Sequence, residues 1–175
     1  MHVSISLSSP AVLSWGSDEE PGISKAGTTR SKRELLWDEF IESIDKCDRD
    51  LRQSCNVDPY EDYCAVFLCH AQLYVFADKY DIQALSKLAL SKLGLTLAHY
   101  NLYEEWKENI VELLRYFHAN TPDRVGMTNK QRALVIRYVA CVVEILKGSE
   151  AFHLLLGEAN SISSDLTTEL CRRLD

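Results

Sequence analysis

The sequence predicts an all-α fold, an irregular array of six or seven helices around a buried helical hairpin, preceded by a disordered N-terminal tail. Apolar residues recur at helical spacing in successive long segments, which short polar loops separate. Hydrophobic residues make up 46% and charged residues 26% of the chain, an ordinary balance for a globular domain. The stretch Asp62–Leu93 is apolar almost all the way round a helix, so we expect other helices to cover it.

The first thirty residues are predicted to be a Ser/Gly-rich tail, and residues 31–175 a single helical domain. Ser, Gly, Thr and Pro dominate the tail without a sustained period, so little apolar surface is available to offset the entropy of ordering the backbone. Two short runs in the tail, SISL and AVLSW, are the only strand-like signal in the chain.

The first predicted helix covers Lys32–Lys46. Ser31 precedes it as an N-cap, and Glu34 three residues later completes the pattern of a capping box. A loop around Pro59 follows, since proline disfavours helical backbone in the residue before it.

The central hairpin is predicted as a buried helix, Asp62–Asp78, and a partner helix, Ile82–Leu93. Asp81 is a suitable N-cap for the partner helix, whose Leu88 is expected to face the first helix. Gly94 is expected to end or bend that helix. A transmembrane span is the poorer interpretation of the hairpin, because the apolar run is short and polar residues interrupt it.

Apolar stripes predict the later elements, and the apolar connector that follows Gly94 is expected to pack on the core. The helices are expected at Glu104–Ala119, from Thr128 or Asn129 to Lys147, at Glu150–Gly157, and at Asp165–Leu174 with Ser163 or Ser164 as its cap.

Charge and cysteine usage exclude several classes of protein. The formal net charge of −7 argues against a general nucleic-acid binder, which needs a basic face to displace counterions. It argues equally against electrostatic attachment to an anionic membrane. Six cysteines in a chain of this size, without a positively charged secretory start, favour a reducing compartment. The predicted location is therefore intracellular, cytoplasmic or nuclear.

Catalytic and metal-binding patterns are weak. Cys64, Cys69 and His70 are the best candidates for a zinc site, but structural zinc needs four converging ligands, usually in close pairs. Their spacings of five and one place Cys69 and His70 on different sides of the helix, so core packing is favoured. Cys47 and Cys55 flank a loop and are expected to stay free thiols. With no phosphate-binding loop, nucleophile elbow or paired-histidine motif, we predict neither an enzyme nor a cofactor.

Aromatic residues cluster near the predicted connectors. Tyr100, Tyr103 and Trp106 form the candidate interaction surface if they remain exposed. The alternative is packing in the core, which is favoured because aromatic side chains dominate helical cores.

A recognisable motif runs through the hairpin and continues weakly on both sides of it. The central part reads His70-Ala71, Leu73–Tyr80, Ile82, Leu85 and Leu88–Leu90. On these residues the chain resembles the second half of a BTB/POZ domain, specifically the divergent BTB-domain proteins of filamentous fungi. Weaker similarity covers about residues 35–175, at Leu36–Phe40, Leu113–Tyr116, Ala119–Pro122, Arg132–Val135 and Tyr138-Val139.

The resemblance implies that about residues 32–97 correspond to the back half of a BTB domain and about 98–175 to a C-terminal helical extension. Residues 1–34 do not match the strand-rich start of that family, and Gln131 stands where the family tends to have Leu. The sheet that supplies the family's dimer interface is therefore expected to be missing. A truncated gene product without independent function is one interpretation of this difference.

The family's properties imply a non-catalytic protein-interaction module of adaptor type. Its expected partners are proteins: a second copy of the chain or a cullin-type ubiquitin ligase scaffold. A BTB-type transcription or chromatin regulator is the alternative, although the acidic balance predicts no nucleic-acid binding. Without the family's sheet, either the downstream helices cover the hairpin or it is left partly exposed.

Overall fold

A computed structural model describes residues 31–44, 61–121 and 129–172 of the chain. These ranges contain seven α-helices, a single 3-10 turn and no strand, which confirms the all-α prediction. The helices are α1 (Lys32–Ser43), α2 (Cys64–Lys79), α3 (Gln83–His99), α4 (Lys107–Asn120), α5 (Lys130–Leu146), α6 (Glu150–Glu158) and α7 (Asn160–Arg172), with the turn at Glu104–Trp106.

Some predictions fall outside the described residues. They concern the tail of residues 1–30 with its two strand-like runs, the end of the first helix at Lys46, the loop that Cys47 and Cys55 flank, and the last residues of the final helix up to Leu174.

The central helix of the fold is α5, which contacts α1, α3, α4 and α7. Its Tyr138 is fully buried and its ring centroid lies 5.5 Å from that of Phe40 and 6.4 Å from that of Trp37. The helix begins at the predicted cap, where the Asn129 side-chain oxygen accepts hydrogen bonds from the amides of Gln131 and Arg132 at 3.0 and 3.2 Å. The apolar face that the spacing predicted for this helix is therefore the centre of the core.

Helix α1 lies against α5 and is tied to α7. The predicted capping box is present: the Ser31 hydroxyl accepts from the Glu34 amide at 3.3 Å, and the Glu34 carboxylate accepts from the Ser31 amide at 2.8 Å. An ion pair of 2.7 Å joins Glu39 to Arg172 at the end of α7. The buried residues of this segment, Leu36, Phe40 and Ile44, are four residues apart and so share one face of the helix.

Three helix boundaries predicted from the sequence differ from those in the structure. Gly94 does not end the third helix, which continues to His99, because glycine serves there for close packing rather than as a stop. Asp81 does not cap that helix: it takes left-handed backbone at φ 54°, and Ile82 stands at the N-cap without a side-chain hydrogen bond. Helix α7 begins at Asn160, before the predicted Asp165, and the Ser163 hydroxyl bonds back to the Leu156 carbonyl at 2.5 Å.

The hairpin of α2 and α3 is present, but it is not the buried centre of the fold. Only four residues of α2 are buried: Phe67, Ala71, Tyr74 and Ala77. On α3, Leu88 is 46% exposed instead of facing the first helix. The prediction of all-round burial was wrong, because α2 contacts α3 and α4 on one side and the described residues place no third helix on the other.

Candidate protein-docking surface

Helix α2 presents a second apolar face to solvent. Val66 is 37%, Leu73 39% and Phe76 49% exposed, and Tyr80 at the helix end is 58% exposed. Cys69, also exposed, completes the series. The spacing of three and four residues puts all five on one side of a helix that has about 3.6 residues per turn. We call this face the α2 stripe: Val66, Cys69, Leu73, Phe76 and Tyr80.

The α2 stripe lies in a stretch without formal charge. From Tyr63 to Ala77 the sequence contains no Asp, Glu, Lys or Arg. Burial, followed by the positive charge of Lys92, lowers the pKa of His70 below its usual value, so this side chain is neutral at pH 7. A helix face exposed to water is normally polar, and this one can be covered without the cost of desolvating a charge.

The two ends of the stripe differ in charge. Exposed Glu61 and Asp62 precede the first turn of α2, whereas exposed Lys79 lies in its last turn. The ammonium of Lys79 lies 5.8 Å from the ring centroid of Tyr80, whose ring lies 4.6 Å from that of Phe76. One end of the stripe is thus acidic, and the other is an aromatic pair beside a cation, with exposed Asp78 and Asp81 next to it.

The opposite side of α2 is fixed to the body of the protein. The Asp62 carboxylate accepts hydrogen bonds from the Cys64 amide at 2.8 Å and from the buried Asn109 side chain of α4 at 3.0 Å. Tyr100 packs edge-on against Phe67, with ring centroids 5.0 Å apart. These contacts hold α2 in one orientation, so its stripe is a preformed surface.

The predicted aromatic surface does not face solvent in this fold. Tyr100 is 1% exposed and Tyr103 6%, and both belong to the core, while Trp106 is partly buried against it. Burial raises the pKa of the Tyr100 hydroxyl above its usual value. Packing in the core, the alternative that the sequence favoured, is therefore what the structure shows for these residues. The connector between α3 and α4 runs beneath the start of α2 rather than over the surface.

The described part of the chain does not bring the predicted metal-ligand candidates together in a metal-binding cluster. No cluster of three or more His, Cys, Asp and Glu side chains suited to a metal ion is found within residues 31–44, 61–121 and 129–172. Burial, with Asp62 and Glu112 nearby, raises the pKa of the Cys64 thiol, which disfavours the reactive thiolate. His99 and His153 each hydrogen-bond a backbone carbonyl, at 2.9 and 2.8 Å.

Among the helices described, none combines the length and the apolar character that crossing a membrane requires. No protein-family model, curated protein or solved structure significantly matches this chain.

The sequence contains the α2 stripe but does not mark it as a surface. Its residues lie in the hairpin that the sequence predicts to be buried, since an apolar helix is ordinarily covered. The available signal was a two-sided pattern: Phe67, Ala71 and Tyr74 repeat on one side of α2, and the stripe repeats on the other. Which of the two sides meets the core depends on contacts distant in sequence.

Proposed function

We propose that this chain is a non-catalytic protein-interaction module whose docking face is the α2 stripe. The observation that carries the proposal is an uncharged apolar row on the exposed side of a helix whose other side is bonded to α4 and packed against Tyr100. Scattered apolar residues are normal on protein surfaces, whereas a contiguous patch ordinarily marks an interaction site.

The energetics suit a helix docking along the stripe. Covering the exposed half of each of its larger side chains contributes on the order of 1 kcal/mol. The side chains are already restrained by the helix, so little further conformational entropy is lost on binding. A partner helix with apolar residues at similar spacing matches this geometry.

The resemblance to the BTB/POZ hairpin supports the same class of function. An adaptor role, including contact with a cullin-type scaffold, is part of the proposal on that resemblance alone. An intracellular site of action, cytoplasmic or nuclear, belongs to it too, because Cys64, Cys69, Cys141 and Cys171 are free thiols in the structure.

The test compares two leucine-to-glutamate variants. Leu73→Glu places a charge in the middle of the stripe, and Leu154→Glu makes the same change on α6, where Leu154 is 58% exposed. Both should keep the helical circular-dichroism spectrum and cooperative unfolding of the unchanged chain. We expect Leu73→Glu to lose association, measured by sedimentation for self-association and by quantitative affinity capture for other proteins, and Leu154→Glu to retain it. If neither substitution changes any association, the stripe is not a docking face.

A further inference from the structure

We infer that the α2 stripe binds the α2 stripe of a second copy of this chain, with the two helices antiparallel. The inference rests on the proposed function and names its partner. The spacing of the stripe is that of the a and d positions of a heptad: Val66, Leu73 and Tyr80 at a, Cys69 and Phe76 at d. A single helix with such a seam is complementary to another helix that carries the same seam, and the copy of the chain supplies one.

Side-chain size favours the antiparallel arrangement. Antiparallel helices pair an a residue of one with a d residue of the other, so Val66 meets Phe76 of the second copy and Cys69 meets Leu73. Each layer then combines a smaller side chain with a larger one, as close packing requires. A parallel pair would instead set Phe76 against its own copy and Cys69 against its own copy, which crowds one layer and leaves the other underfilled.

The charges at the ends of the stripe bear on the same choice. The antiparallel register brings exposed Lys79 near exposed Glu61 of the second copy at both ends of the interface, where exposed Asp78 and Asp81 beside Lys79 offset part of the attraction. A parallel pair sets the two Lys79 ammonium groups side by side and the two Glu61 carboxylates side by side. Antiparallel helix dipoles also attract rather than repel. The symmetry is that of an isologous dimer, in which each contact occurs twice.

The size of the surface sets the strength of the dimer. Five half-exposed side chains on about four turns of helix offer a few hundred Å², less than the roughly 800 Å² per partner of a standard interface. We therefore expect a dissociation constant in the micromolar range, on the order of 10 to 100 µM.

Sedimentation equilibrium of the full chain over about a hundredfold range of concentration measures the dissociation constant of the dimer, which can be compared with the expected value. The unchanged chain and Leu154→Glu should move from monomer to dimer, and Leu73→Glu should remain a monomer. An unchanged chain that stays monomeric at the highest concentration overturns the dimer.

The proposed function survives that result if Leu73→Glu, but not Leu154→Glu, loses a different captured protein. Stripe-dependent flotation of a monomeric chain with vesicles of neutral and anionic phospholipid overturns both proposals. The two failures are thus distinguishable.

Disulfide trapping tests the antiparallel register. In a background with Cys47, Cys55, Cys64 and Cys171 replaced by Ser, Leu73→Cys places its thiol opposite Cys69 of the second copy. Mild oxidation should yield a covalent dimer that retains the helical spectrum. The same background without Leu73→Cys should yield little, because the two Cys69 residues are about one helical turn apart along the interface. Efficient Cys69–Cys69 crosslinking in that background overturns the antiparallel arrangement.

A charge exchange gives a second, independent measurement. Lys79→Glu alone should weaken the dimer by about two- to fivefold, as expected for an exposed ion pair. Adding Glu61→Lys should restore it, because the two facing positions then carry opposite charges again, with their signs exchanged. A double variant that is no tighter than the single one contradicts the register.

Discussion

The backbone of Gly94 in α3 lies directly against the Ile44 side chain at the end of α1. A Cβ atom at position 94 would lie 2.9 Å from Cγ1 and 3.2 Å from Cγ2 of Ile44. These are closer than ordinary carbon–carbon contacts, so only glycine lets the two elements approach this far. The contact joins the hairpin of α2 and α3 to the first helix and to the core around α5.

The first prediction concerns this contact. Gly94→Ala should lower the free energy of unfolding by about 1 kcal/mol, because overpacking at a buried site costs more than the helix propensity that alanine gains. In an Ile44→Ala background the clash is absent, so the same substitution should stabilise the protein by about 1 kcal/mol. Urea denaturation of the four proteins in the cycle measures both effects. If Gly94→Ala also lowers the free energy of unfolding of the Ile44→Ala protein, Ile44 is not the obstacle.

Tyr138 supports a second prediction. Its hydroxyl is fully buried and has no hydrogen-bond partner among the described residues. Tyr138→Phe should therefore keep the ring packing against Phe40 and stabilise the protein by about 1 kcal/mol, since an unpaired buried hydroxyl is costly. Tyr138→Ala serves as the contrasting variant and should lose about 3 to 5 kcal/mol. Thermal unfolding at pH 7 distinguishes the two.

The stability of the unchanged protein and of Tyr138→Phe should depend differently on pH, because folding and protonation of Tyr138 are linked. Burial raises the pKa of Tyr138 well above its usual value of 10 in the folded state. The folded protein thus binds this proton more tightly, and the associated stability is present below pH 10 and lost as the pH rises above it. The unchanged protein should lose stability more steeply than Tyr138→Phe between neutral pH and pH 11. Parallel curves would mean that Tyr138 contributes nothing to the alkaline transition.

The sequence predicted most of the helices because their signals are local. Ser31 and Asn129 cap their helices as the capping patterns indicate, and the face around Tyr138 is buried as its spacing requires. The predicted helix boundaries are wrong where one residue type can serve two structural roles. Gly94 resembles a helix stop but provides room for Ile44, a contact between residues far apart in the sequence.

The α2 stripe could not be recognised as a solvent-exposed face from the sequence for a related reason. Hydropathy shows that Leu73 and Phe76 are apolar, but it does not show whether another part of the protein covers them. The reverse holds for Tyr100, whose position in a connector suggested exposure although the fold places it under α2. Exposure is a property of the assembled helices, and a stretch that is apolar on two sides leaves the choice of buried side to tertiary contacts.

A fourth prediction tests the cap of the central helix. Asn129→Ala should cost about 1 kcal/mol of stability, because the amides of Gln131 and Arg132 lose their acceptor. Asn129→Ser retains an acceptor oxygen and should stay within about 0.5 kcal/mol of the unchanged protein. Chemical denaturation of the two variants provides the comparison, and equal losses would indicate that the side-chain hydrogen bonds are not the cause.

The last prediction concerns the hydrogen bonds that orient the α2 stripe. Asp62 bonds both the Cys64 amide and the buried Asn109 side chain, so it joins the first turn of α2 to α4. Asp62→Ala should cost about 2 kcal/mol, since it removes an N-terminal acceptor and leaves a buried amide unpaired. Asp62→Asn keeps one acceptor oxygen and should lose less, and Glu61→Ala, at an exposed position beside it, should lose almost nothing. Hydrogen exchange should localise the effect, with faster exchange in the first turns of α2 and unchanged protection in α5. Uniform acceleration throughout the domain would instead mean that Asp62 stabilises the fold as a whole and does not specifically orient α2.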